Sequence, residues 1–188
     1  MDTLKLTLQI VGVVLGLLYL WLEYRANVWL WVVGIVMPMV NGILYYTSGL
    51  YADMSMNIYY VLAGIYGWVV WNNRKPERQV SIGHTPHGLW LPLALLCGAV
   101  WVFIWWVLVR FTDSTVPVLD AFTTALSIIA MWMLSRKYVE QWLVWLVVDA
   151  VTVGLYIYKG IPLTAGLYTL YTVLAWAGYR RWLRQIEA

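Results

Sequence analysis

Charged residues are scarce in this sequence: they make up 11% of its 188 residues, whereas hydrophobic residues make up 63%. Soluble domains are typically about one quarter charged and about one half apolar. Together with a mean hydropathy of +0.73, this scarcity excludes a soluble globular protein. Because apolar runs of about 20 residues cross bilayers as helices, the composition predicts an all-α integral membrane protein, with the lipid bilayer as its first partner.

Several chemical signals are also absent. The single cysteine, Cys97, excludes a disulfide within the chain. The sequence has no glycine-rich phosphate loop, no zinc-ligand spacing and no nucleophile beside a base, and His84 and His87 are a weak metal signal. We therefore expect no enzyme activity, no metal, no cofactor and no ATP-driven transport by this chain alone. The small net charge of +3 gives no indication of nucleic-acid binding.

Apolar stretches long enough to cross the membrane predict seven transmembrane helices. They lie at 4–22, 27–47, 55–72, 89–109, 117–135, 139–158 and 162–179. The one substantial polar connection follows the third of these stretches, so no separate soluble domain is expected.

The basic residues predict the orientation of these helices. Three of the twelve, Lys5, Arg110 and Lys159, fall on one side of the membrane, and the other nine fall on the opposite side. Because cytoplasmic loops are enriched in Lys and Arg, we expect the N-terminus outside and the C-terminus in the cytoplasm, in the plasma (inner) membrane. The nine are Arg25, Arg74, Lys75, Arg78, Arg136, Lys137, Arg180, Arg181 and Arg184.

The sequence also repeats itself at an offset of 111 residues. The identities are Trp21/Trp132, Arg25/Arg136, Trp31/Trp142, Leu44/Leu155, Tyr45/Tyr156, Gly49/Gly160, Tyr60/Tyr171, Gly67/Gly178 and Trp71/Trp182. They predict a 3+1+3 plan, with a first three-helix repeat at 1–72, a cytoplasmic loop and linker helix at 73–116, and a second repeat at 117–188. Four spans separate each helix from its copy, so the repeats are parallel.

Parallel repeats are typical of transporters that bind their substrate near the bilayer midplane, between the repeats. An old duplication in a structural membrane protein is the alternative.

Asp149 stands near the middle of the sixth predicted span, and Trp145 and Trp142 precede it on the same helix face. Charged groups inside a membrane are costly and usually functional. Three states are open to Asp149: it is protonated, since burial disfavours the charged form; it is ionised and held by hydrogen bonds; or it awaits a cation that arrives with the substrate. No Lys or Arg lies deep in a span, and indole faces attract cations. This face is therefore a candidate site for an organic cation.

Other spans supply further candidate substrate-binding residues. Asp120, near the outer end of the fifth span, is equally consistent with a solvated or helix-capping role. Pro38, the repeat counterpart of Asp149, is expected to kink the second span one turn before Asn41. For a tyrosine in a span, helix packing or an interfacial role is the more common explanation. The candidates on the second, third and seventh spans are Asn41, Tyr45, Asn57, Tyr60, Tyr168 and Tyr171.

The pattern Trp142-x-x-Trp145-x-x-x-Asp149 resembles the Pnu-type vitamin transporter family, and the resemblance covers nearly the whole chain. It implies a SWEET-like 3+1+3 fold, facilitated diffusion, trapping of the vitamin by a cytoplasmic kinase, and a substrate site lined by the three residues of this pattern. The further stretches that support it are 50–53, 66–68, 120–124, 155–160 and 178–179.

Members that carry nicotinamide riboside are expected to have Asn at position 149 and Gln before the tryptophan of the fifth span. This chain has Asp149 and Met131 there, which favours the thiamine-carrying members.

We therefore expect a thiamine uniporter, in which the rings of the vitamin stack on the indoles and Asp149 complements the positive charge. A nicotinamide riboside carrier of the same family is the alternative, because that vitamin is also a flat cation. A proton-coupled carrier, a membrane scaffold and a vitamin-binding subunit of a larger transporter are the further alternatives. A carrier of this size is also compatible with a homo-oligomer, either a trimer or a dimer.

Overall fold

The computed structural model describes residues 2–47, 51–73, 79–112, 114–158 and 162–187; the side chains of 2–10, 12, 40–47, 51–56 and 162–164 lie outside the described residues. The described chain forms seven α-helices, and a 3₁₀ turn at His87–Leu89 leads into the fourth. The helices are α1 Asp2–Tyr24, α2 Trp29–Thr47, α3 Tyr51–Trp71, α4 Trp90–Phe111, α5 Pro117–Ser135, α6 Gln141–Tyr158 and α7 Pro162–Glu187.

These helices confirm the predicted all-α class and the predicted number and order of the apolar segments. Within the described residues, three helical segments are long and apolar enough to cross a membrane: His87–Phe111, Pro117–Ser135 and Gln141–Tyr158. Val13–Tyr24 and Trp29–Met39 are shorter apolar helices. Proline marks two starts, because its fixed φ suits the first helical turn: Pro117 begins α5 and Pro162 begins α7.

Packing divides the chain into a first unit, Met1–Val80, and a second unit, Ser81–Ala188. In the first unit α1 packs on α2, and α2 packs along α3. In the second unit α4 packs on α5, α5 on α6, and α6 along α7. The predicted division at 72 and 116 into two functional repeats and a linker stays a prediction.

Helix ends recur at the offset of 111 residues found in the sequence. The corresponding pairs are the ends of α1 and α5 at Tyr24 and Ser135, the ends of α2 and α6 at Thr47 and Tyr158, and the starts of α3 and α7 at Tyr51 and Pro162.

The turn that closes α1 also recurs at the end of α5. Ala26 has a φ of 51° and donates its N–H to the carbonyl of Glu23 at 2.8 Å. Its counterpart Lys137 has a φ of 55° and donates to the carbonyl of Leu134 at 2.9 Å. In both turns the next N–H bonds to the carbonyl five residues earlier. This is the Schellman arrangement, which satisfies the last carbonyls of a helix.

The segment before α4 is tied to the turn between α5 and α6. Val139 donates its N–H to the carbonyl of Gly83 at 2.9 Å. The Glu140 carboxylate, 14% exposed, accepts the N–H and the hydroxyl of Thr85 on Oε2 at 2.8 and 2.7 Å. Its Oε1 lies 2.7 Å from Nδ1 of His84. We call His84, Thr85 and Glu140 the clasp; it fixes the turn from which α6 begins.

Replacing Glu140 with Gln is expected to lower the free energy of unfolding by about 1.5–3 kcal/mol at pH 7, the contribution of hydrogen bonds to a charged group. Burial alone would raise the pKa of Glu140, but the hydrogen bonds from His84 and Thr85 outweigh burial and hold this pKa below its ordinary value. The stabilisation is therefore complete above the pKa of Glu140 in the unfolded state, about 4.3. It is lost as the pH falls through the pKa of Glu140 in the folded state.

Thermal unfolding in detergent at pH 7 and below about pH 4 measures this effect of the clasp. The difference between wild type and Glu140→Gln should shrink at the lower pH. A difference of equal size at both pH values would show that the carboxylate charge is not what stabilises the turn. Thr85→Val, which removes only the hydroxyl, should have the smaller effect.

Candidate functional site

Trp142, Trp145 and Asp149 follow one another along a single face of α6, as their spacing of three and four residues predicts. At a rise of about 1.5 Å per residue, the two ends of this row are about 10 Å apart along the helix axis. The three side chains therefore occupy successive turns, and each has a different environment.

Trp142, on the first turn of α6, belongs to the joint between α6 and α7. It is 1% exposed, and its ring meets that of Trp182 edge to face with centroids 5.7 Å apart. A Cβ on Gly178 would lie 2.7 Å from three atoms of the Trp142 indole, so only glycine allows this close approach of α7. The Trp142 ring thus packs between α6 and α7, two helical turns from Asp149.

The same joint exists in the first unit. Trp31 is fully buried, lies against Gly67 and meets Trp71 edge to face with centroids 5.6 Å apart. Each of these residues is the repeat counterpart of one in the second unit. The packing of α2 on α3 and of α6 on α7 therefore explains the identities Trp31/Trp142, Gly67/Gly178 and Trp71/Trp182.

Asp149 is buried, with 7% of its surface exposed. None of the described residues forms an ion pair or a hydrogen bond with its side chain. A buried carboxylate without a partner is strongly unfavourable, because it gives up its hydration without compensation. Asp149 therefore needs either a proton or a positively charged ligand.

Three tyrosines lie on the two helices beside Asp149. Tyr171 on α7 is close enough to Asp149 for the two groups to interact electrostatically. Tyr168 meets Tyr171 edge to face at 5.6 Å and stacks on Tyr156 of α6 at 5.5 Å, with an interplanar angle of 21°. Tyr156, Tyr168 and Tyr171 form the tyrosine cluster. Through Tyr171 this cluster brings a ring and a hydroxyl near the buried acid.

Trp145 lies between the packing joint and Asp149. Its indole Nε1 is buried and has no acceptor among the described residues. An unmade hydrogen bond of this kind costs about 1–3 kcal/mol. An indole N–H without an acceptor can donate a hydrogen bond to a ligand.

The other predicted site residues lie elsewhere. Asp120 is at the first turn of α5, where its Oδ2 accepts the hydroxyl of Ser114 at 2.7 Å, as expected for an acid that stabilises a helix start. Asn57 and Tyr60 lie on α3 in the first unit, and Tyr60 meets Tyr59 edge to face at 5.5 Å. The side chains of Asn41 and Tyr45 lie outside the described residues.

Two features of the structure were not predicted from the sequence. Tyr156 was identified as a repeat identity and as part of the stretch 155–160, but not as a site residue, although its spacing of seven residues from Asp149 places both on one face. Glu23 was missed because the first span was expected to end at 22, whereas α1 continues to Tyr24 and buries Glu23 to 1% exposure. The spacing of four residues between Tyr19 and Glu23 was the available signal.

The second unit thus combines a buried acid, an indole with a free N–H and three tyrosines. Aromatic faces attract cations and stack on flat rings. In the described residues, no group of His, Cys, Asp and Glu is placed to hold a metal ion. The chemistry of these side chains fits a flat, positively charged organic ligand with hydrogen-bonding substituents.

Comparison with known proteins gives consistent matches. Residues 6–184 match the protein family described as nicotinamide mononucleotide transporter. The chain is 26% identical over 202 residues to the nicotinamide riboside transporter PnuC of Escherichia coli, covering 94% of this chain and 84% of that protein. It is 28% identical over 181 residues to the riboflavin/roseoflavin transporter RibM of Streptomyces davaonensis, covering 93% and 83%. The crystal structure of the vitamin B3 transporter PnuC matches with a TM-score of 0.74 at 25% identity, over 96% of this chain and 82% of that one.

Proposed function

The chain belongs to the nicotinamide mononucleotide transporter family and is a membrane transporter of vitamins rather than an enzyme, and we propose that its substrate is nicotinamide riboside. The expected preference for thiamine has less support, because two of the similar proteins carry nicotinamide riboside and riboflavin by name. These two vitamins share a flat heterocycle joined to a five-carbon unit that bears several hydroxyls. Thiamine has no such unit.

The observation that supports nicotinamide riboside over riboflavin is Asp149. Its carboxylate is buried and has no cationic partner among the described residues. The pyridinium of nicotinamide riboside would supply the missing positive charge, whereas riboflavin is neutral. Trp145 and the tyrosine cluster would stack on the ring and bond to its substituents.

The same carboxylate disfavours the phosphorylated form of the vitamin. A phosphate adds about 1.5–2 negative charges at pH 7, and the sequence has no Lys or Arg deep in a span to pair with it. We therefore propose that the nucleoside crosses the membrane and the nucleotide does not. Phosphorylation by a cytoplasmic kinase would then trap the vitamin inside the cell.

Transport is proposed to proceed by uniport, with alternating access of two parallel three-helix repeats joined by α4. An inside-negative membrane potential favours entry of a monovalent cation by about 2.3 kcal/mol per 100 mV. If the net charge moves with the substrate, this corresponds to roughly fifty-fold accumulation. No ion gradient is required.

The proposed orientation places the N-terminus outside and the C-terminus in the cytoplasm. It rests on the nine basic residues of one side, three of which are arginines that lie over tryptophan rings. Arg25 lies 4.5 Å from the ring centre of Trp21, Arg136 5.8 Å from Trp132, and Arg180 6.0 Å from Trp176. Tryptophan and arginine near helix ends are typical of the membrane interface.

We also propose that the chain forms a homo-oligomer, either a trimer or a dimer.

Uptake measurements on the purified chain in proteoliposomes distinguish uniport from its alternatives. An inside-negative diffusion potential should accumulate labelled nicotinamide riboside, and an imposed pH gradient without a potential should not. Accumulation driven by the pH gradient would instead establish proton coupling through a group such as Asp149. Binding without any transport would favour a vitamin-binding subunit.

A further inference from the structure

The last turns of α7 project beyond the predicted seventh span. That span ends at 179, whereas α7 continues to Glu187. The projecting turns carry Arg180 and Arg184, which share one helix face because they are four residues apart. Both arginines are exposed, and no carboxylate of the described residues forms an ion pair with either. This end of α7 therefore presents two positive charges that the described part of the protein does not neutralise.

The same face of α7 is apolar at membrane depth. Leu170, Val173 and Trp176 follow one another at helical spacing and are between 44% and 61% exposed. At the start of this row, a Cβ on Gly166 would have nothing within 4 Å, so the helix surface is open there as well. We call this face the α7 stripe; its residues are Gly166, Leu170, Val173, Trp176, Arg180 and Arg184.

Trp176 marks the level at which the stripe changes from apolar to basic. The guanidinium of Arg180 lies 6.0 Å from the ring centre of Trp176, and the same ring stacks on Tyr179 with centroids 5.8 Å apart. Aromatic rings of this kind are typical of the headgroup level of a bilayer. From Gly166 to Trp176 the helix rises about 15 Å, which is half of a hydrocarbon core of about 30 Å. The apolar part thus has the length of one leaflet.

The first unit has the same exposed face without its charges. Three residues of α3 occupy the positions of Val173, Trp176 and Arg180 at the offset of 111 residues, and they are between 47% and 61% exposed. They are Leu62, Ile65 and Val69. Orientation in the membrane requires positive charge only in the loops near the spans, so it does not explain two arginines in line with an open apolar face. This combination is a feature of α7, not of the repeated fold.

We propose that the α7 stripe binds an anionic phospholipid, with an acyl chain along Leu170 and Val173 and the phosphate on Arg180 and Arg184. Guanidinium groups bind phosphate oxygens through paired hydrogen bonds. The apolar part favours a lipid over a free phosphate ion, and the two uncompensated charges favour an anionic headgroup over a zwitterionic one. In the orientation proposed above, this lipid belongs to the cytoplasmic leaflet, where anionic headgroups attract basic segments. The proposal is independent of which vitamin the chain carries.

The test measures lipid binding to the detergent-purified chain by native mass spectrometry. Phosphatidylglycerol is the anionic probe, and phosphatidylcholine with the same acyl chains is the zwitterionic probe. The wild type should bind phosphatidylglycerol more tightly than phosphatidylcholine. Arg180→Gln should weaken phosphatidylglycerol binding about fivefold, and Arg180→Gln with Arg184→Gln about thirtyfold. The affinity for phosphatidylcholine should stay the same, which would also show that the variants are folded.

Arg110→Gln is the matched control, because Arg110 is exposed in the last turn of α4 and the substitution removes the same charge. Its affinity for phosphatidylglycerol should equal that of the wild type. An equal loss in Arg110→Gln and Arg180→Gln would show that net charge alone attracts the lipid, and it would overturn the proposal. Equal affinity of the wild type for the two lipids would do the same.

Two further outcomes separate the lipid from other occupants of the stripe. Glycerol 3-phosphate, a phosphate without acyl chains, should not displace an equal concentration of phosphatidylglycerol; displacement would show that the stripe binds a phosphate ion and not a lipid. A second copy of the chain is the other possible occupant. If the double arginine variant changes the mass of the oligomer and leaves the number of bound lipids unaltered, the stripe is a contact between copies and the proposal is wrong.

Discussion

Asp149→Asn should lower the affinity for nicotinamide riboside by about 10- to 100-fold. A hydrogen bond to a charged group contributes about 1.5–3 kcal/mol, and asparagine keeps the shape of the side chain while removing its charge. Asp149 is only 7% exposed, so water screens the contact less than it would at the surface. Fluorescence titration and initial uptake rates in proteoliposomes should both report the loss.

Riboflavin is the neutral ligand that separates charge from shape in this experiment. Because it offers no positive charge to Asp149, its affinity should change by less than about threefold in the Asn variant. Glu187→Gln removes one negative charge at the C-terminal end of α7 and should leave both affinities unaltered. If the Asp149→Asn variant binds nicotinamide riboside as tightly as the wild type does, Asp149 is not the partner of the cation.

Gly178→Ala should destabilise the protein by about 1–3 kcal/mol, the usual cost of overpacking a core. The added methyl would lie 2.7 Å from the Trp142 indole, and this ring has little room to move because it is buried against Trp182. Gly67→Ala should have a similar effect in the first unit, where the methyl would meet Trp31. The midpoint of thermal unfolding in detergent is the measurement.

Gly166→Ala is the matched control on the same helix as Gly178. Nothing lies within 4 Å of a Cβ at that position, and alanine is the better helix former by up to about 1 kcal/mol. Its unfolding temperature should therefore stay the same or rise. Combining Gly178→Ala with Trp142→Phe should recover part of the lost stability, since the smaller ring leaves room for the methyl. Equal behaviour of Gly178→Ala and Gly166→Ala would show that the joint between α6 and α7 is not tight.

The helices could be predicted from the sequence because long apolar runs have few structural options in a membrane. The repeat was also visible in the sequence, and three of its nine identities have a physical explanation in the structure. Trp142 contacts both Gly178 and Trp182, and Trp31 contacts both Gly67 and Trp71. At Gly67 and Gly178 a larger side chain would collide with the facing indole.

The role of Trp142 could not be predicted in the same way. Its spacing from Asp149 places both on one helix face, but only the position of Gly178 on α7 determines that the ring is used for packing. The clasp around Glu140 depends on a segment more than fifty residues earlier in the chain.

Counterflow of labelled nicotinamide riboside tests the proposed uniport most directly. Proteoliposomes that contain the purified chain and unlabelled nicotinamide riboside are diluted into the labelled vitamin, with no potential and no pH gradient. The label should accumulate transiently and then decline, because a uniporter exchanges its substrate without an ion gradient, and Asp149→Asn should reduce the peak. Absence of any accumulation in the wild type, under conditions where the chain binds the vitamin, would contradict transport by this chain alone.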